Sequence, residues 1–124
     1  MSLEIRLNDL ELKYGGLQKN IIRKVKSKFE NNNRMLHTGG DRMNSIYHNY
    51  SKIYARFMED RIDRKLNIAE VGILNGIGLA IWSDVFKNSN IFGFDIDTSI
   101  FYNNKNNLIN KGAFQSNKPI INRF

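Results

Sequence analysis

Apolar positions in the first half of the chain recur at helical spacing. Over residues 17–29 they alternate with basic residues, which predicts an amphipathic helix ending at the asparagines of 31–33. Over residues 45–58 an apolar stripe rich in aromatic residues predicts a second helix. We therefore expect residues 1–65 to be an N-terminal helical segment.

After residue 65 the apolar positions form short runs bounded by glycines and asparagines. Residues 66–73 are too short a run for a typical helix, which predicts a buried strand. The elements expected next are a turn at 75–78, a helix over 79–88, a strand at 91–96, a helix over 99–111 and a strand beginning at 119. This order predicts an α/β fold: a Rossmann-like parallel sheet of about three strands, preceded by two helices.

The length and composition of the chain fit one cytoplasmic domain. Two independent domains would each be too small within 124 residues, so we expect a single domain over 1–124. Within it, residues 66–124 would be the first half of a Rossmann-like domain. The chain has no cysteine for disulfides or thiolate metal sites, and no apolar run of membrane-spanning length. We expect no contact with a membrane.

The net charge of +7 is concentrated in residues 1–65, which hold 14 of the 19 Lys and Arg residues against 8 acids. A basic segment of this kind is usually a solvated helix face, but it could also attract nucleic acid. No aromatic-plus-basic RNA-binding motif accompanies the charge. Nucleic-acid binding is therefore not favoured.

The candidate chemistry lies where the predicted strands end. Ligands of open parallel sheets bind beyond the carboxyl ends of the strands, and Gly72 and Gly76 would let a ligand approach the main chain there. Asp95 falls at the tip of the next strand, where a carboxylate can accept hydrogen bonds from ribose hydroxyls. Asp97 could share that task or cap the next helix. Glycines alone could simply shape a turn, but with the strand, helix and acid they indicate a nucleotide-like cofactor.

The spacing of the glycines distinguishes between classes of cofactor. Dinucleotide-binding turns read G-x-G-x-x-G, and phosphate-binding P-loops end in G-K-[ST]. This chain instead has Gly72, Gly76 and Gly78, with Leu74 where the second glycine would be. Both nucleotide alternatives are weakened, although a nicotinamide-dependent oxidoreductase fragment stays open on the strength of Asp95.

Two stretches, Glu70–Trp82 and Phe92–Asp97, resemble motifs I and II of class I S-adenosylmethionine-dependent methyltransferases. Within that class the chain is most similar to sugar O-methyltransferases of macrolide-type pathways, which residues 39–54 match in part. The resemblance implies S-adenosylmethionine as cofactor and a sugar or other small-molecule hydroxyl as methyl acceptor. Leu74, in place of a glycine, and Asn49, in place of a histidine, depart from the family pattern.

Roles for four residues follow from the resemblance. Gly72 and Gly76 would approach the amino-acid and ribose portions of the cofactor, and Glu70 would support the loop or the methionine end. Asp95 would hold the ribose. Asn75, in the same turn, completes this predicted cofactor-binding set.

The upstream stretch offers two further candidates. Arg42 could pair with the cofactor carboxylate through its planar guanidinium, or it could form a surface ion pair with Asp41 or Glu59. His48 is a weak candidate for a general base, because a single histidine on an aromatic helix is more often structural. The catalytic residue is otherwise unassigned, and no metal-ligand spacing is present.

A complete domain of the resembled class has about seven strands, whereas about three can be drawn here. A short sheet of this kind would expose an unpaired edge. We therefore expect a homo-oligomer, a fragment of a longer chain, or a degenerate half-domain. The alternative function is a non-catalytic module that associates with a partner.

Overall fold

The computed structural model describes residues 1–15, 23–26, 33–36, 43 and 48–124. The helices of these residues are α1 (Leu3–Gly15), α2 (Tyr50–Met58), α3 (Ile77–Val85) and α4 (Ser99–Asn110), with a 3-10 turn at Glu59–Arg61. The strands are β1 (Arg23–Lys26), β2 (Asn33–Leu36), β3 (Asn67–Val71), β4 (Asn90–Asp95) and β5 (Ile120–Arg123). None of the helices described is long and apolar enough to cross a membrane.

The predicted α/β fold is confirmed by a parallel sheet in the order β3-β4-β5. Val71 of β3 lies beside Phe94 of β4, and Asp95 lies beside Arg123 of β5. Because the strands are parallel and in this register, the segments that follow β3 and β4 leave the sheet at the same edge. That edge is where the glycine loop and Asp95 meet.

The helices α3 and α4 cover one face of this sheet. At Gly93 a Cβ atom would meet the side chains of Leu79, Ile121 and Ile73, so α3 packs closely on the middle strand. The other face is much less covered: Val71 is 72% exposed and Ile120 52% exposed. The outer edge of β3 has no partner strand among the residues described.

The first helix, α1, was not predicted. It buries Leu3, Leu7, Leu10 and Tyr14, and it packs against α2 and α3. These four residues recur at helical spacing, so the signal was present in the sequence.

The helix predicted over 17–29 is wrong at residues 23–26, which are the part of that range the structure describes. They form β1, which pairs antiparallel with β2 in a register that joins Val25 to Arg34. The partner strand, β2, lies further along the chain, so the spacing of apolar residues within 17–29 does not reveal the pairing.

The second predicted helix starts later than expected. It begins at Tyr50, and Asn49 precedes it with a left-handed backbone (φ 53°). Tyr54 and Met58 pack against the core, whereas Ile53 and Phe57 are more than half exposed. Only the side of α2 that carries Tyr54 and Met58 therefore packs on neighbouring elements.

Candidate functional site

The turn between β3 and α3 uses a left-handed backbone three times. Gly72 has φ +81° and Gly76 has φ +84°, and between them Leu74 has φ +46°. Such angles suit glycine and strain a residue with a side chain. Leu74 therefore adopts a conformation that a glycine would take without strain.

The two glycines of the turn have different surroundings. A Cβ at Gly72 would meet nothing within 4 Å, so the main chain there faces open space. A Cβ at Gly76 would lie 2.7 Å from Cε2 of Phe101 and 3.3 Å from Cδ1 of Leu108. Gly72 is thus accessible to a ligand, whereas Gly76 allows α4 to pack against the turn.

Glu70 lies directly beneath the start of α3. It is 8% exposed, and a Cβ at Gly78 would lie 2.6 Å from its Oε2 atom. A residue with a side chain at position 78 would therefore require this buried carboxylate to shift.

Asp95 folds back onto the glycine loop. Its Oδ2 atom accepts hydrogen bonds from the N–H groups of Ile73 at 2.9 Å and Leu74 at 3.2 Å. Its Oδ1 atom accepts one from the N–H of Asp97 at 3.1 Å. These bonds, led by that of Asp97, hold the pKa of Asp95 below its ordinary value, although partial burial opposes them. The carboxylate stays ionised and fixes the path of the loop.

Asp97 binds Ser99 at the start of α4, but the N-cap residue of that helix is Thr98 and not Asp97, so the predicted capping role is wrong. Its Oδ1 atom accepts hydrogen bonds from the hydroxyl of Ser99 at 2.6 Å and from the N–H of Ser99 at 2.9 Å. These bonds, with the nearby charge of Arg123, lower the pKa of Asp97. Asp97 is exposed, so its carboxylate is also accessible from solvent.

The N–H groups of the loop are largely used within the protein. Gly72 donates to the carbonyl oxygen of Phe94 at 2.8 Å, and Gly76 donates to that of Ile73 at 2.8 Å. Ile73 and Leu74 donate to Asp95, as described above. In a phosphate-binding loop such groups point at the anion. Here a carboxylate occupies that position.

Asn75 ties the turn to both neighbouring helices. Its side-chain oxygen accepts the N–H of Ile77 at 3.4 Å, at the start of α3. Its carbonyl oxygen accepts the side-chain amide of Asn104 from α4 at 2.9 Å. Asn104 was not predicted as a site residue. Its position on the helix predicted to follow Asp97 is the signal that could have suggested it.

Of the two upstream candidates, the structure describes His48. His48 is exposed and its ring lies 5.3 Å from that of Tyr50, just before α2. Tyr50 is followed by Tyr54, which packs against Trp82 of α3. Arg42 lies outside the residues that the structure describes. The structure thus brings together Glu70, Gly72, Asn75, Gly76, Asp95 and Asp97.

Comparison of the chain with protein-family models, with curated proteins and with solved structures gave no match. Within the described part of the chain, no three His, Asp or Glu residues are grouped as a metal site requires. The assignment of a ligand therefore depends on the geometry and charge of the loop itself.

Proposed function

We propose that the chain is the donor-binding half of an S-adenosylmethionine-dependent methyltransferase that acts on a sugar or other small-molecule hydroxyl. The observation that supports this most is the use of the loop N–H groups by the protein itself. A pyrophosphate would find few free donors and would face the carboxylate of Asp95. An adenosyl group carrying a sulfonium charge suits an acid-lined crevice better.

The residues of the site have different roles in this proposal. Gly72 offers the open main chain against which the methionine end would lie. Asp95 has already accepted three N–H groups, so it has room for about one ribose hydroxyl, given roughly four acceptor positions on a carboxylate. Asp97, which is exposed, would accept the other.

The chemistry of the reaction makes modest demands on this half of the fold. When bound, S-adenosylmethionine supplies an activated methyl group to a hydroxyl oxygen of the acceptor. The enzyme positions the two reactants and removes the hydroxyl proton. Among the described residues, our candidate for the base is His48. It would act only if the acceptor binds over the start of α2.

Calorimetric titration with S-adenosylmethionine and with S-adenosylhomocysteine tests the proposal. We expect both ligands to bind, and we expect Asp97→Ala to weaken binding about tenfold, because a hydrogen bond to a charged group is lost. Asp97 is the better site to substitute, since replacing Asp95 would also disturb the loop. Asp63→Ala is the matched control, an exposed acid remote from the crevice that should leave affinity unchanged.

Two outcomes would count against the proposal. Absence of binding by both ligands would remove the cofactor assignment. Equal loss of affinity in Asp97→Ala and Asp63→Ala would show that attraction by general negative charge, rather than the crevice, accounts for binding.

A second candidate is a non-catalytic half-domain that associates with a partner. The specific observation in its favour is the exposed sheet face, where Val71 and Ile120 lie beside the half-buried Phe92 and Phe94. Apolar patches of this kind commonly mark interfaces. Copurification of a partner without methyl transfer would support this candidate.

A further inference from the structure

A separate cavity lies along the outer side of α4. It has a volume of about 370 Å³ between α4 and the segment 113–121. Its lining is mostly apolar and aromatic, and none of its lining residues belongs to the glycine loop or is Asp95 or Asp97. A ligand here would therefore be distinct from one bound at the loop.

One wall of the cavity is held rigidly. Phe101 is 1% exposed, its ring centroid lies 6.1 Å from that of Phe114, and a Cβ at Gly76 would collide with its ring. Phe114 itself has φ +62°, which is unusual for a bulky residue. A strained backbone that presents an aromatic ring to a cavity is typical of binding sites.

The rim of the cavity is positively charged. Lys105 and Lys118 both line it and are exposed, and the lining includes no acid. Within the described part of the chain neither ammonium group forms an ion pair, although Lys105 lies 5.9 Å from the ring centroid of Tyr102. The rim therefore suits a negatively charged headgroup.

We propose that this cavity binds a medium-chain carboxylate, with its alkyl body against the exposed side chains of Tyr102 and Ile109 and its headgroup at Lys105 and Lys118. Ile109, which is 43% exposed on the same side of α4, extends the apolar floor toward solvent. The combination of an apolar floor and a basic rim distinguishes this ligand from a sugar or a nucleotide. A nucleotide would need more polar partners than the lining offers.

Titration with sodium octanoate, followed by amide chemical shifts in two-dimensional NMR, tests the proposal on the whole chain. We expect saturable shifts in residues 101–121. The double variant Lys105→Ala/Lys118→Ala should weaken octanoate binding about three- to tenfold, because two partly exposed charge contacts are lost. The matched control is Lys87→Ala, an exposed lysine outside the cavity, which should bind octanoate as the unmodified chain does.

The neutral analogue 1-octanol separates the two parts of the proposal. We expect 1-octanol to shift the amides of the same residues, and we expect the lysine substitutions to leave its affinity unchanged. Octanoate that produced no saturable shift in residues 101–121 would overturn the proposal. Octanoate binding that was unaffected by the double substitution would overturn it as well. Neither result depends on binding of S-adenosylmethionine.

Discussion

The Asp95 carboxylate uses most of its hydrogen-bonding capacity on the backbone N–H groups of Ile73, Leu74 and Asp97. Two N–H groups reach one oxygen and a third reaches the other. The sequence correctly suggested that Asp95 and the glycines would meet, because strand tips of a parallel sheet share one edge. It could not show that the carboxylate would accept the N–H groups of Ile73 and Leu74, since this depends on the local path of residues 72–76.

The two glycines of the turn make a matched pair for a stability measurement. Gly72→Ala should cost about 1–2 kcal/mol, because alanine is strained at positive φ but meets no neighbouring atom. Gly76→Ala should cost about 2–4 kcal/mol, because the same strain is joined by overlap with Phe101. Urea unfolding of both variants would measure the difference. Equal costs would contradict the different surroundings that we describe.

At the scale of elements, the local signals in the second half of the chain were reliable. β3, α3, β4 and α4 lie within a few residues of their predicted positions, because each combines an apolar pattern with a clear boundary. The pair of strands β1 and β2 was missed because both are short. Each is recognised by its hydrogen bonding to the other strand and not by a pattern in its own sequence. Helix α1 was missed even though its leucine spacing is regular.

Helix α1 is fixed to α3 by a polar contact whose effect depends on pH. The hydroxyl of Tyr14 donates to Oδ2 of Asp84 at 2.7 Å. Burial, followed by this bond and the charge of Asp84, raises the pKa of Tyr14 above its ordinary value. A raised pKa in the folded state means that the folded chain holds the proton more tightly than the unfolded chain does.

The stabilisation by Tyr14 should therefore be complete below about pH 10, the pKa of an unfolded tyrosine, and should be lost progressively above it. Tyr14→Phe should lower the free energy of unfolding by about 1 kcal/mol at neutral pH, because a hydrogen bond is lost. It should also remove part of the decline above pH 10. Unfolding measured from pH 7 to 11 tests both effects, and Tyr102→Phe, at an exposed tyrosine, is the control. An unchanged alkaline decline in Tyr14→Phe would contradict this account.

At the scale of the whole molecule, the sheet has one covered face and one exposed face. Among the residues that the structure describes, no strand pairs with the outer edge of β3, which lies beside the exposed Val71. Edges of this kind tend to pair with further strands unless charge or shape prevents it. A lysine at the edge is a common natural means of preventing such pairing.

We expect the chain to self-associate at high concentration, and we expect Val71→Lys to reduce that association. Sedimentation equilibrium over a range of concentrations measures both. Ile5→Lys, on the exposed side of α1, is a control at a comparably exposed apolar residue and should leave association unchanged. A chain that stayed monomeric throughout would contradict the role that we give to the open edge.

We have proposed that the crevice between β3 and β4 binds an adenosyl sulfonium cofactor rather than a dinucleotide. A parallel NMR titration with S-adenosylmethionine and with NAD tests this directly. We predict that S-adenosylmethionine saturably shifts the amides of Gly72, Asp95 and Asp97 and that NAD leaves them unchanged. Shifts of these amides by NAD alone, or by neither ligand, would contradict the account.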